Sequence, residues 1–432
     1  MWKINQLFYY LLIISQKLIL KNYVVFLFFK IDNILNLKLQ NFIFSILFLY
    51  SSAFFAQDVS LLAQFNGRYD FTFIGNTLNP QENSFQTSPS ILPSSSATLN
   101  LGSQSVIKNA YLYWAGSGTG DFEITLNSTS ITAERTFAYQ RNNFGLLLDY
   151  FSAFKDITEL VKQTGNGVYT LSDIDISDII DDHFTRRTNF AGWAIIIIYQ
   201  NNNLPVNQIN VYDGLQAVPS ALSINLTNIE VVNNLDSKIG FVAWEGDSNI
   251  SVTETLKIND YVVEQLPLNP ANNAFNGTNS ITGSSTLYNM DLDIYDIQNY
   301  VQKGDTSMDI KLTSGQDVVM INAVVTKFTA KKNPIIIYNY ISANNDTSNP
   351  AFFIEGLRDI YLNFKIEIYN RWGQLVWVGD NSTPDWDGLS NQEVRLDDST
   401  ISPRGTYYYI LYLNDVDYPE PIIGYLYLHK AK

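Results

Sequence analysis

Gly192-Trp193-Ala194-Ile195-Ile196-Ile197-Ile198-Tyr199 decides the fold class of this chain. Four successive β-branched residues flanked by aromatics, bounded by polar clusters, read as a buried strand. Similar runs lie on either side of it. Asn109-Ala110-Tyr111-Leu112-Tyr113-Trp114 precedes it, and Lys238-Ile239-Gly240-Phe241-Val242-Ala243-Trp244 follows. Clusters of Asn, Gly, Asp and Ser separate these runs all the way from Asp58 to Phe328. Strands at such spacing build sandwiches or jelly rolls. Long amphipathic patterns are missing, and the one short helix expected is Phe151–Lys162, with apolar residues at Phe151, Phe154, Ile157, Leu160 and Val161. The expected fold is all-β.

The 432 residues are too many for one ordinary domain. Hydrophobic residues make up 46%, including 27 Tyr and 26 Phe, so sizeable cores are available. Only 16% are charged, a balance that suits exposed strands and polar loops of an extracellular β protein. Cysteine is absent, which excludes disulfides, thiolate metal sites and cysteine nucleophiles. The net charge of -15 is unevenly spread: residues 1–57 contribute +4 and the remainder -19. An acidic surface of that size repels phosphate backbones, which argues against nucleic acid as a partner.

Two series in the middle of the chain echo one another. The first runs Tyr113-Trp114-Ala115-Gly116-Ser117-Gly118-Thr119-Gly120-Asp121, then Asp156 to Gly165, then a strand near Val168–Ile176. The second runs Val242-Ala243-Trp244-Glu245-Gly246-Asp247, then Asp296 to Gly304, then a strand at Met308–Leu312. The expected organisation is a signal-peptide region at 1–57, tandem β-sandwich or jelly-roll-like domains at 58–205 and 206–330, and a third unit at 331–432. The central part also resembles a family of bacterial surface modules, on the strength of Tyr113–Asp121, Gly192–Ala194 and Val211-Tyr212-Asp213-Gly214. That resemblance implies a structural or adhesive unit without assigned catalysis.

After Lys331-Lys332-Asn333-Pro334 the composition shifts. Phe364 to Trp377 alternates around a turn at Trp372-Gly373-Gln374, and Asp385-Trp386-Asp387-Gly388 follows. Pro403-Arg404-Gly405-Thr406-Tyr407-Tyr408-Tyr409 and Gly424-Tyr425-Leu426-Tyr427-Leu428 complete the series. This reads as a small Ig-like β-sandwich with Trp372 as a buried anchor. The order of these motifs resembles the gliding motility-associated C-terminal domain, the type B sorting domain of type IX secretion. The residues carrying the likeness are Asn370, Arg371, Trp372, Gly373, Trp386, Asp387, Gly388, Gly405, Thr406, Tyr407, Gly424 and Tyr425. At its start this chain has Ser342-Ala343-Asn344-Asn345-Asp346-Thr347 in place of the family's Ser-Pro-Asn-Gly-Asp-Gly-like loop. The resemblance implies the type IX secretion machinery as partner, and delivery to the outer surface or the medium. At the other terminus, Leu37–Asn41, the apolar run Phe42–Tyr50 and Ser51–Gln57 read as a signal peptide cleaved next to Ala56 or Gln57, with 1–36 read as the result of a mis-called start ahead of a true one at Leu37, against the rival reading of a transmembrane anchor.

Candidate chemistry is sparse. His183 and His429 are the two histidines, with no Gly-x-Ser-x-Gly elbow or paired histidine spacing, and His183 reads as a surface residue of a polar loop. Asp173-Ile174-Asp175-Ile176-Ser177-Asp178 and Asp291-Leu292-Asp293-Ile294-Tyr295-Asp296 alternate, so on strands the acids would share an outer face. Asp173, Asp175, Asp178, Asp291 and Asp293 are therefore the candidate ligands of a calcium ion, against the plainer reading of a solvated face. Asp385 and Asp387 are expected to cap local backbone. Trp114 and Trp244 are expected to be core anchors. The overall reading is a non-enzymatic, adhesin-like surface or secreted protein whose glycan or protein ligand the sequence does not name. The competing reading is a carbohydrate-binding module or a carboxylate-dependent glycoside hydrolase using Glu245.

Overall fold

Alternation along Ala191–Gln200 sends Trp193, Ile195 and Ile197 into one apolar core and Ala194, Ile196 and Ile198 into another. A strand that is apolar at every position is thus buried on both faces, each such aliphatic side chain contributing roughly 1.5–3 kcal/mol. The rest of the architecture follows from that double burial. It was described from a computed structural model covering residues 58–83, 89–218, 221–248, 254–313, 318–342, 349–392 and 402–429. The signal-peptide region and the loop at 343–347 lie outside the described residues.

In chain order the first half holds β1 (Ser60–Gly67), β2 (Tyr69–Thr77), β3 (Ser94–Leu99), β4 (Val106–Ser117), β5 (Glu123–Leu126), β6 (Thr129–Thr132), β7 (Arg135–Asn143) and β8 (Leu146–Asp156). Helix α1 (Thr158–Thr164), β9 (Gly167–Ser172), α2 (Ile180–Phe184) and β10 (Ala191–Gln200) complete it. The second half holds β11 (Asn207–Val218), β12 (Ala221–Thr227), β13 (Asn233–Trp244), β14 (Thr255–Ile258), β15 (Tyr261–Val262), β16 (Met290–Asp296), β17 (Ser307–Thr313) and β18 (Val319–Thr329). Sheet orders β2-β10-β4-β8-β7 and β3-β9-β5-β6 make one sandwich. Orders β1-β11-β18-β13-β16 and β12-β17-β14-β15 make the other. Replacing β2, β10, β4 and β8 by β11, β18, β13 and β16 turns one large sheet into the other, so the two halves share a topology. Strand β1 precedes the first sandwich in sequence yet pairs antiparallel with β11 at the edge of the second.

The two large sheets pack face to face. Their shared core joins Phe71, Phe73, Tyr113 and Ile196 to Val211, Val242, Trp244, Leu292 and Val325. Outer cores lie beneath β3-β9-β5-β6 and β12-β17-β14-β15, giving four stacked layers. Buried polar ties cross the middle. Tyr113 Oη donates to Asp213 Oδ2 at 2.9 Å, and the Ser152 hydroxyl to Asn322 Oδ1 at 2.6 Å. Lys327 Nζ donates across to Asp70 at 3.1 Å, and within its own sheet to the exposed Asp236 at 2.6 Å.

The double burial also explains a correction. Phe151–Lys162 is not one helix: β8 runs to Asp156 and α1 begins at Thr158. Phe151 and Ala153 enter the outer core while Tyr150 and Phe154 enter the shared one. A strand feeding two cores places apolar residues three apart, which mimics one face of a helix.

The carboxyl-terminal unit comprises β19 (Ile336–Ile337), β20 (Tyr340–Ser342), β21 (Ile354–Glu355), α3 (Leu357–Ile360), β22 (Lys365–Tyr369), β23 (Leu375–Asp380), β24 (Gly405–Tyr412) and β25 (Ile422–His429). Its sheet order is β20-β25-β24-β22-β23, with β20 parallel to β25, and β19 pairs with β21. The inner face of the larger sheet buries Ile366, Ile368, Tyr407, Tyr409, Leu411, Leu426 and Leu428. One end of this unit docks on the sandwiches. Arg68 donates to the Ile360 carbonyl at 2.8 Å and reaches Asp415 at 3.4 Å, and Lys108 pairs with Asp359 at 2.9 Å.

Candidate functional site

The tail motifs divide by what their side chains touch. Asn370, at the end of β22, is buried, and its Oδ1 accepts the backbone N–H groups of Trp372 at 2.9 Å and Gln374 at 3.0 Å. Its Nδ2 donates to Gln374 Oε1 at 2.9 Å. Gly373 follows with φ of 76°, the left-handed region where glycine is unstrained. Asn370 therefore builds the turn that presents Trp372. Trp372 itself is 62% exposed, with the Arg371 guanidinium 4.5 Å from its ring centre, so the expectation of a buried anchor is corrected. A residue at a hairpin tip has no opposite layer to enter. Asn370→Ala should cost about 1–3 kcal/mol by leaving two amides without their acceptor, a change read by thermal unfolding.

Trp386 is the anchor. It is fully buried, meets Tyr407 edge-on at 5.0 Å, and donates from Nε1 to the Leu389 carbonyl at 2.9 Å. Asp387 accepts the Leu389 amide at 2.9 Å, the local cap expected of it. Asp385 instead pairs with Arg358 at 2.7 Å. Tyr407 donates to the Pro403 carbonyl at 2.6 Å, holding the turn before Gly405. A Cβ on Gly424 would collide with the Tyr409 hydroxyl, so that glycine makes room for the neighbouring strand's tyrosine. Thr406 and Tyr425 point outward and are exposed.

The two acidic stretches differ from one another. Asp173, Asp175 and Asp178 follow β9 in an irregular segment and are exposed, while Ile174 and Ile176 are buried as the alternation predicts. Asp175 caps the Ser177 amide at 2.9 Å. Asp291 and Asp293 lie on β16 and are completely buried, which overturns the solvated face for that stretch. The loop from Asn269 to Ser284 covers them: Asp291 Oδ1 accepts the amides of Asn276, Gly277 and Thr278, each at 2.9 Å. Asp293 accepts the Ser280 amide and the Thr278 hydroxyl, both at 2.9 Å. These two acids organise the loop by accepting its amides, and β16 adds backbone bonds at Leu292, whose amide donates to the Thr278 carbonyl and whose carbonyl accepts the Ser280 amide. Among the described residues no three histidine or acidic groups stand together as metal ligands would.

Burial raises both acids, and for Asp291 the neighbouring Asp293 charge adds to it; Asp293 is pushed up to about 6. They hold protons more tightly folded than unfolded. For Asp293 that contribution is complete below roughly pH 4 and is lost as the pH climbs through about 6. The denaturation midpoint of the chain from Asp58 should fall across that window, with a shallower slope in Asp293→Asn. Repeating the titration in millimolar calcium against chelator tests the calcium expectation, because a bound cation would flatten the slope as well.

Sequence reasoning missed a buried polar group at the end of the shared core. His183, expected on the surface, is 2% exposed in α2. Its Nδ1 lies 3.2 Å from the Thr188 carbonyl, and its ring meets Tyr150 edge-on at 4.9 Å. Burial lowers its pKa. The flanking Asp181-Asp182 gave the polar reading, whereas the aromatic partner Tyr150 lies 33 residues away in sequence. Trp114 and Trp244 are both fully buried, but Trp114 serves the outer core and Trp244 the shared one. Glu245 is buried in a left-handed conformation, φ 66°, with its amide donated to the Asn289 carbonyl at 2.8 Å. A groove of about 610 Å³ opens elsewhere, between β2, β3 and the loop at 279–287; Ser96, Thr98, Asn100, Asn279, Thr282 and Ser284 are among its lining, and no lining residue is charged.

Residues 335–428 match the CHU_C type IX secretion signal domain. No curated protein matches the chain. Among solved structures, BuGH86 in complex with neoagarooctaose is 14% identical over 54% of this chain and 33% of its own, with a TM-score of 0.19. BpGH86A, a β-porphyranase of glycoside hydrolase family 86 from the human gut bacterium Bacteroides plebeius, is 12% identical over 64% of this chain and 37% of its own, at 0.20. The adhesin domain of Epf from Streptococcus pyogenes is 10% identical over 54% of this chain and 83% of its own, at 0.14. This chain spans about a third of the length of the glycoside hydrolase chains, and at such scores none of these likenesses bears on function. The carboxyl-terminal unit is a type IX secretion signal domain, as its motifs implied, and it makes the type IX machinery a partner of this chain. No helix among the described residues is long and apolar enough to cross a membrane.

Proposed function

We propose that the chain is a non-enzymatic, adhesin-like protein displayed on the cell surface or released from it after type IX export. The observation that carries this reading is the signal domain at 335–428, attached to four stacked layers of β-sheet that hold together without a disulfide. The buried acids Asp291 and Asp293 are engaged with a loop, a scaffold's use of carboxylates. Protease treatment of intact cells tests the reading: the chain should be cut or shed without lysis, and protection until lysis would contradict display.

A second reading, a carbohydrate-binding module, is favoured by the uncharged groove. Hydroxyls and side-chain amides lining it match the hydrogen-bonding groups of a neutral sugar, and no charge there would need compensation. Neutral glycans bound on an array by the chain from Asp58, and lost in Thr98→Val with Asn279→Leu, would support it.

A further inference from the structure

A secretion signal that acts while folded is read only through what its fold leaves exposed. Most of the motif residues in this tail are spent internally: Asn370 builds a turn, Trp386 fills the core, and Tyr407 holds the Pro403 carbonyl. Outward-facing positions on β24 and β25 remain. Tyr408 is paired across the sheet with Tyr425, and Thr406 with Tyr427, which in turn pairs with Tyr340 on β20. Tyr340, Tyr408, Tyr425 and Tyr427 are between 39% and 59% exposed, and Ile423 is 71% exposed. Tyr340 stacks on Tyr427 with ring centres 6.3 Å apart. On a chain with a net charge of -15, β20, β24 and β25 carry no acidic residue; the acids of this face are Glu367 on β22, paired with Lys365 at 2.7 Å, and Asp380 at the end of β23.

Register fixes where this surface lies. Lys365 pairs with Tyr412 and Tyr369 with Tyr408, so the Trp372 turn is at the end of the sheet opposite Leu413 to Asp415. Asp415 is the end docked on the sandwiches, through Arg68, and it also pairs with Lys332 of the connecting segment. The inner face is filled by the domain's own core. The tyrosine face and the Trp372 tip are therefore the part of the signal domain that is both aromatic and turned away from the protein's own layers. Isolated exposed aromatics are ordinary, but a contiguous set on one sheet marks an interface, and tyrosine and tryptophan supply much of the energy at such surfaces.

We infer that the outer face of β20, β25 and β24, with the Trp372 tip, is the surface by which the type IX secretion machinery recognises this chain. The inference deepens the export reading and rests on it. The test uses the full chain in its secreting host, comparing Tyr408→Ser with Tyr425→Ser together, Trp372→Ser, and a chain lacking 334–432. Export is measured by fractionation, and melting temperatures of the purified variants report folding. These outward side chains contribute little to the core, so melting should stay within a few degrees of the unsubstituted chain while export falls about tenfold. Should the double variant melt early, each single substitution is read in its place. Unchanged export in the face variants, with export abolished by the deletion, overturns this inference and leaves the export reading standing. Export that survives the deletion ends both. Normal export with lost binding to a polysaccharide would assign the face to glycan instead, and also overturns the inference.

Discussion

Replacing Trp386 by alanine should lower the stability of the signal domain by about 3–5 kcal/mol, whereas Trp372→Ala should change it by less than about 1 kcal/mol. The two tryptophans belong to neighbouring motifs of the same tail and differ in burial, 1% against 62% exposed. Removing the Trp386 indole opens a cavity beside Tyr407 and leaves the Leu389 carbonyl without its donor. Small domains hold only ~5–15 kcal/mol in total, so most of the margin would go. Denaturant titration of the chain from Asp58, followed by near-ultraviolet signals, separates the two. Equal losses from both substitutions would mean that Trp372 packs against something in solution.

Asn322→Ala should destabilise the paired sandwiches by about 3 kcal/mol or more. Asn322 is completely buried between the large sheets, where Oδ1 accepts from the Ser152 hydroxyl at 2.6 Å and from Trp244 Nε1 at 2.9 Å. Its Nδ2 donates to the Gly214 carbonyl at 2.7 Å. Alanine strands three buried groups, each at a penalty of about 1–3 kcal/mol. Asn225→Ala removes a comparable but exposed bond to Asp309 and should stay within about 0.5 kcal/mol. A lowered midpoint with an unchanged slope, in a single transition, is expected because the shared core couples both sandwiches. Two separate transitions would contradict that coupling.

The all-β class and the tail's motifs were legible in the sequence because both are local. Ile195 to Ile198 announce a buried strand, and Trp372-Gly373-Gln374 a turn, without reference to distant residues. What the sequence hid is the partner of each face. Trp193 and Ile196 are equally apolar, yet they belong to different cores, and nothing in their order shows that two sandwiches share a layer. Phe151 and Phe154 were misread for the same reason. The acids at 291 and 293 alternate as those at 173 and 175 do, but a covering loop buries one pair and leaves the other in water. That difference lies in residues 269–284, which precede the second motif and form no part of it.

The central claim is that residues 334–432 are this chain's export address. Cells expressing the chain cut after Asn333 should retain it in the periplasm, while the intact chain reaches the surface or the medium. Fractionation with a periplasmic marker is the deciding measurement. Surface display of the truncated chain, at the level of the intact one, would contradict the account.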